Sequence, residues 1–252
     1  MNIKFIDSNC MLGKWHAPKL YFDSARELLS EMDYHNIEKA LVFHSLAWQY
    51  DPDTGNRKLL EEIENVNSKG MHERLLPVFV IAPWNTPSEM MDGESTKEIR
   101  TRAYAVRVFP RDQNFLFSKW LHPVLEFLEG IRMPVFINYD QVDFRDLDEV
   151  LASYPELPVI ISNTGYRICR FLFTLFKKYK NFYLETSTFF SYEGIEEVCK
   201  KFGAERMVFA TRMPFIDPGG MLARIIYADI TEEEKQLIAR GNIERLISEI
   251  RR

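Results

Sequence analysis

The sequence predicts an α/β chain folded as one (β/α)8 (TIM) barrel over residues 1–252. Three observations lead there. Eight short apolar runs alternate with amphipathic stretches from end to end, the pattern of strands and crossover helices in a parallel sheet. Most runs are continuous Val/Ile/Leu/Phe segments, as expected of strands covered on both faces. Finally, 252 residues at 46% hydrophobic suffice for one large core, at a size that such barrels reach as a single domain. An open doubly wound sheet is the alternative, because counting strands and helices does not establish closure.

The elements follow in order. "IKFIDSN" is the first strand; Asp7, Asn9 and Met11 alternate along one expected face, and the run stops at Gly13. Ser24 and Glu27 have capping-box spacing ahead of a helix through "LLSEMDYHNI". "KALVFHS" ends near His44, the helix "NRKLLEEIENVNSKG" follows, and "LLPVFVIAP" is the third strand. The polar connection "PWNTPSEMMDGESTKEIR" leads to "YAVRVFP" with Arg107, and "PRDQNFLFS" leads on to the helix "KWLHPVLEFLEGI". Connections this long in compact domains tend to be lids or binding loops. "MPVFINYD" carries Asn138 and Asp140 and precedes the helix "FRDLDEVLASY". "LPVIISN" ends at Asn163, and "YRICRFLFTLFKKYK" supplies the next helix. "NFYLETS" holds Glu185, followed by the aromatic loop "TFFSYEG" and the helix "IEEVCKKFG". "RMVFATR" ends at Arg212, and "TEEEKQLIARGNIERLISEI" closes the chain.

Composition excludes several function classes. The net charge is -5, with 32 basic and 37 acidic residues and no basic block beyond pairs such as Lys177-Lys178, so no nucleic-acid footprint is indicated. Cys10, Cys169 and Cys199 are far apart with no CxxC spacing, which argues against a disulfide framework or zinc knuckle and fits a reducing cytoplasm. Neither a secretory leader nor an uninterrupted apolar stretch of membrane-spanning length is readable.

Barrel chemistry gathers at the carboxyl ends of strands. The polar residues there are Asn9, His44, Arg107, Asn138, Asp140, Asn163, Glu185 and Arg212, a set rich in amides and cations.

At these residues the chain resembles the amidohydrolase superfamily, specifically the amidohydrolase-related branch of decarboxylases and lactonases acting on carboxylated substrates. The family's first-strand motif D-x-H-x-H-x-G aligns with "DSNCMLG", placing Asn9 and Met11 where two metal-binding histidines are expected. Its fifth- and sixth-strand histidines align with Asn138 and Asn163, and its eighth-strand aspartate with Arg212 in "FATRMPF". "EEEKQLIARGNIERLI" resembles the family's closing helices. The resemblance implies a barrel whose metal ligands are replaced. A carboxamide is a poor zinc ligand and an arginine offers no lone pair, so no metal and no other cofactor is expected.

Each residue carries a functional expectation beside a structural one. Asn9, Asn138 and Asn163 form an amide ring around a ligand, or satisfy one another. Met11 is packing. Arg107 and Arg212 need an anion, either a substrate carboxylate or phosphate held bidentately or an internal carboxylate among Asp7, Asp140 and Glu185. Glu185 is the leading general base, since a water-poor mouth raises a carboxyl pKa while an arginine partner lowers it. Asp140 is the alternative base, and His44 is an acid/base candidate or a satisfied core histidine. Tyr166 and Arg167 in "NTGYR" lie near an expected helix start that favours an anion, or serve in capping and packing. Cys10 is a small buried hydrophobe, and Gly219-Gly220 forms an anion-binding turn or an ordinary loop.

The leading functional expectation is a metal-independent hydrolase, lactonase- or esterase-like, acting on a small anionic carboxylated molecule. The lactone preference comes from the family, whose lactonases include metal-independent members. The first alternative is a pseudoenzyme that binds a metabolite or partner without turnover. The second is a metal enzyme with a site rebuilt from Asp7, His44, Asp140 and Glu185. Neither nucleic acid nor membrane is an expected partner; the aromatic loop "TFFSYEG" either closes over the mouth or forms an oligomer contact, and this barrel class often self-associates.

Overall fold

The computed structural model describes residues 3–16, 20–68, 73–85 and 94–252. Eight strands run in the order of the chain, every neighbouring pair parallel. They are β1 (Phe5–Leu12), β2 (Ile37–His44), β3 (Leu75–Val80), β4 (Ala105–Val108), β5 (Val135–Asn138), β6 (Val159–Ser162), β7 (Phe182–Glu185) and β8 (Met207–Val208). The segment after β8 closes the sheet: Ser8 N donates to Phe209 O at 3.0 Å and Met11 N to Met213 O at 2.9 Å. The barrel, rather than the open sheet, is therefore the architecture.

Helices flank the strands and cap the two ends. They are α1 (Ala25–Tyr34), α2 (Ser45–Gln49), α3 (Pro52–Asn67), α4 (Glu94–Arg102), α5 (Phe117–Trp120), α6 (His122–Gly130), α7 (Phe144–Ser153), α8 (Cys169–Lys178), α9 (Gly194–Phe202), α10 (Pro218–Ile226), α11 (Glu232–Gln236) and α12 (Asn242–Ser248). The expected Ser24/Glu27 capping box is formed at α1, and Thr231 with Glu234 makes another at α11; such caps are worth about 1 kcal/mol. The helix expected over "KWLHPVLEFLEGI" is broken into α5 and α6 at Leu121. Pro123 cannot continue a helix arriving from its N-terminal side, because it lacks an N–H and its ring meets the preceding turn. The closing helix is likewise split, with π-helical geometry at Leu237–Gly241 between α11 and α12. Helices α2 and α10 were not expected from the sequence, and α4 occupies part of the polar connection after β3. Residues 86–93 of that connection lie outside the described residues.

Two apolar layers result. Outward residues such as Phe5, Cys10, Val42, Val106, Val108 and Ile161 pack against the helices. Inward residues such as Ile6, Met11, Phe43, Val80, Phe109, Phe136 and Val208 fill the barrel, joined by Ile243 and Leu246 of α12. Asn242 donates to Ala204 O and Met207 O, both at 2.8 Å, which seats α12 at the start of β8. With that end plugged, the chemistry is left to the opposite mouth. Among the described residues no helix is long and apolar enough to cross a membrane.

Candidate anion-binding centre at the barrel mouth

Arg107 occupies an inward position of β4, where its neighbours Val106 and Val108 face the helices. It is only 2% exposed. Nη1 donates to Asn138 Oδ1 at 2.9 Å and Nη2 to Asn9 Oδ1 at 3.1 Å. The guanidinium also lies over the rings of Phe43 and Phe136, 4.8 and 5.2 Å from their centroids. Burial lowers its pKa to about 10, with the Arg212 charge adding to the shift and Glu185 opposing it, so Arg107 is a cation at neutral pH.

Asn9 passes this charge on. Its Nδ2 donates to Glu185 Oε2 at 2.9 Å, while Glu185 Oε1 accepts from Ser187 N. The result is a buried chain running Asn138, Arg107, Asn9, Glu185, Ser187. Glu185 is fully buried. Burial raises its pKa, against the lowering effects of Ser187, the Asn9 amide and the Arg107 charge.

A bulge in β1 sets Asn9 in place. Asp7 pairs with Ala40 and Cys10 with Val42, so Ser8 and Asn9 together oppose one residue and the inward-outward alternation shifts. Ile6 and Met11 are consequently both inward. Asp7 does not share the face of Asn9 and Met11 as expected. It accepts instead from Thr211 N at 3.1 Å, from Thr211 Oγ1 and from Asn9 N at 3.0 Å. Burial pushes the Asp7 carboxyl up to about 6 despite these bonds. Cys10 is buried in the outer layer and Met11 packs inside, as expected of both.

Arg212 differs from Arg107. It sits at φ 65° just beyond β8, half-buried, with its guanidinium 5.3 Å from the Phe215 ring centroid. No described residue makes a hydrogen bond or ion pair with it. Burial lowers its pKa, and the fields of Glu185 and Asp140 raise it. Asn163, at φ 54°, does not join Asn9 and Asn138, so the expected ring contains two of the three amides around Arg107. Its Oδ1 is buried without a partner, as are the hydroxyls of its neighbours Ser162 and Thr164 and of Thr188 beyond β7.

Other expected residues stand apart. His44 belongs to the outer layer: Phe43 takes the inward position, while His44 Nε2 faces Glu62 of α3 at 3.4 Å and its Nδ1 accepts from Leu46 N at 3.1 Å. The structure therefore does not bring His44 to Glu185, because the strand alternation turns it outward. Asp140 is exposed in the turn after β5. Tyr166 is 60% exposed with Arg167 over its ring, and both precede the α8 start at Cys169. The Gly219 N–H is taken by Asp217 Oδ1 at 2.9 Å in the first turn of α10, so the "DPGG" segment is a capped helix start rather than an anion-binding turn.

Sequence reasoning missed an aromatic roof. Trp48 of α2 stacks on Phe109 at 4.3 Å and 5°. Trp15 contacts Trp48 at 4.7 Å and Phe215 at 5.2 Å, and Trp48 Nε1 donates to Asp112 at 2.7 Å. The available signal was Trp48 in "HSLAWQ", immediately after the second strand end.

The donor set does not fit a divalent cation. The two amide oxygens nearest the centre, on Asn9 and Asn138, accept from the Arg107 guanidinium, and a second cation there would be repelled by it. Among the described residues no group of three His, Cys, Asp or Glu side chains is placed to hold a metal. Asp7, His44, Asp140 and Glu185 are spread over three environments rather than gathered into a rebuilt site.

A family model described as amidohydrolase matches residues 96–248. No curated protein matches the sequence. Among solved structures, a dihydroxybenzoic acid decarboxylase from a Polaromonas species, with bound manganese and the inhibitor 2-nitroresorcinol, superposes with a TM-score of 0.77 at 16% identity over 98% of this chain and 97% of that one. A 2,6-dihydroxybenzoate decarboxylase from Rhizobium gives 0.72 at 17% identity over 98% of both chains. A putative 2-pyrone-4,6-dicarboxylic acid hydrolase from Pseudomonas putida gives 0.71 at 14%, again over 98% of both. At such identities the likeness is one of fold.

Proposed function

The chain belongs to the amidohydrolase family, and from that premise we propose that it is a metal-independent hydrolase opening a lactone or ester of a small carboxylated molecule. One observation carries the reading: Arg212 presents a half-buried guanidinium with no bonded partner among the described residues, in the field of a fully buried, fixed Glu185. A guanidinium so placed suits a carboxylate or a developing oxyanion.

In this mechanism a water oxygen bonds to the substrate carbonyl carbon while Glu185 takes a proton from that water. The carbonyl π electrons move onto oxygen, which faces Arg212. Collapse of this adduct breaks the carbon–oxygen bond to the leaving group, and the leaving oxygen takes the proton back from Glu185. Arg107 acts through Asn9, orienting Glu185 and supplying a fixed positive charge. The Polaromonas structure carries manganese; this chain is proposed to differ because an arginine holds the centre.

The test is hydrolysis of a panel of lactones, esters and aromatic carboxylates by protein stripped of metal and by protein supplied with manganese or zinc. Metal-stripped wild type turning over one class, with Arg212→Ala and Glu185→Gln each reduced at least about 100-fold, supports the reading. Turnover that appears only with added metal overturns it.

A second reading, binding without turnover, is favoured by the engagement of both Glu185 oxygens within the protein. Saturable binding of a carboxylate that needs Arg212 and persists in Glu185→Gln, with no substrate hydrolysed by wild type, selects it.

A further inference from the structure

A cleft of about 510 Å³ opens outside the barrel between α1 and α3, with Gly13, Ala25, Arg26, His44 and Glu62 in its wall. That volume is within the range of small-molecule sites, and the proposed hydrolysis uses none of these groups. We propose that this cleft is a separate binding site for a small hydroxycarboxylate.

Donors for the carboxylate gather at one side. The N–H groups of Ala25 and Arg26, in the first turn of the ten-residue helix α1, have no helical acceptor. Lys14 and Arg26 also line the cleft, and neither side chain has a bonded partner among the described residues. Lys58 is paired with Glu61 at 3.2 Å, and Asp23, also in the wall, disfavours a second anionic group.

A hydroxyl-binding side is built deeper. His44 is 4% exposed, and because Nδ1 accepts from Leu46 N, the proton of a neutral imidazole is on Nε2, on the Glu62 side. Gly13, also in the wall, lets its backbone pack against the ring: a Cβ there would stand 2.7 Å from His44 Nε2. A ligand hydroxyl set beside the 3.4 Å contact of His44 Nε2 with Glu62 would donate to the carboxylate and accept from the imidazole, and Phe43, next in the chain, lies under the Arg107 guanidinium.

The experiment is NMR titration of the full-length protein with lactate, with acetate as the analogue lacking the hydroxyl. Saturable shifts at the Ala25, Arg26 and Leu46 amides are expected, with lactate binding more tightly than acetate. Lys14→Ala/Arg26→Ala, both exposed positions, weakens binding at least about tenfold, while Arg212→Ala leaves it unchanged, which separates this site from the barrel mouth. Equal response to lactate and acetate, shifts confined to residues around Arg212, or unchanged affinity in the double variant overturns the proposal.

Discussion

Arg107 and Asn9 meet side chain to side chain inside the barrel, Nη2 to Oδ1 at 3.1 Å, and the other end of the same amide holds Glu185. A neutral residue thus couples a buried cation to a buried carboxylate that do not touch. Burying either charge alone costs several kcal/mol, so the three residues behave as a unit.

Asn9→Ala removes the acceptor of Arg107 and the donor of Glu185 together. The expected loss is about 3 kcal/mol of unfolding free energy, from two charged groups each left short of a bond. Urea unfolding reads it as a lower midpoint at unchanged slope; a loss under about 1 kcal/mol would show that the network contributes little.

Arg107→Met leaves Glu185 buried without its cation. A cost of about 3–5 kcal/mol is expected, partly restored in Arg107→Met/Glu185→Gln, where no buried charge remains. Strict additivity of the two single changes in a double-mutant cycle contradicts the coupling.

Asp7 gives a signed pH dependence. Its carboxyl is held up to about 6 against a usual 3.8, so between these values the folded state keeps a proton that the unfolded chain has lost. Stability therefore falls as pH rises through that window, by up to about 3 kcal/mol, and is flat in this term above it. The difference between wild-type and Asp7→Asn stability, measured from pH 3.5 to 7.5, should show this slope. A difference that grows in favour of the wild type with rising pH contradicts the assignment.

Gly13→Ala tests the close approach beside His44. Gly13 has φ +86°, and a Cβ would fall 2.5 Å from both His44 Cε1 and Ser45 Oγ, so a loss of about 2–4 kcal/mol is expected. Thermal unfolding at a single pH checks it, and an unchanged Tm refutes it.

The strands were legible because parallel barrel strands are apolar on both faces, and the strand-end residues named the polar centre: Asn9, Arg107, Asn138 and Glu185 all meet there. Which side each residue takes was less legible. The β1 bulge reassigns Asp7 with no change in composition, and His44 turns outward because strand parity is set by register with β1 and β3. The roof of Trp15, Trp48, Phe109 and Phe215 comes from four separate segments, a juxtaposition that local pattern does not carry. Helix α2 is too short to show a periodicity, and α10 begins with Pro218-Gly219-Gly220, residues that read as loop until Asp217 caps them.

The central claim is that side-chain guanidiniums occupy the charge centre of this barrel. Anomalous diffraction at the manganese edge, from crystals grown with excess manganese, tests it most directly. The account predicts no anomalous peak within coordinating distance, about 2.2 Å, of Asn9, Asn138 or Asn163. A peak at that distance from two of these amides, with Arg107 displaced from them, contradicts it.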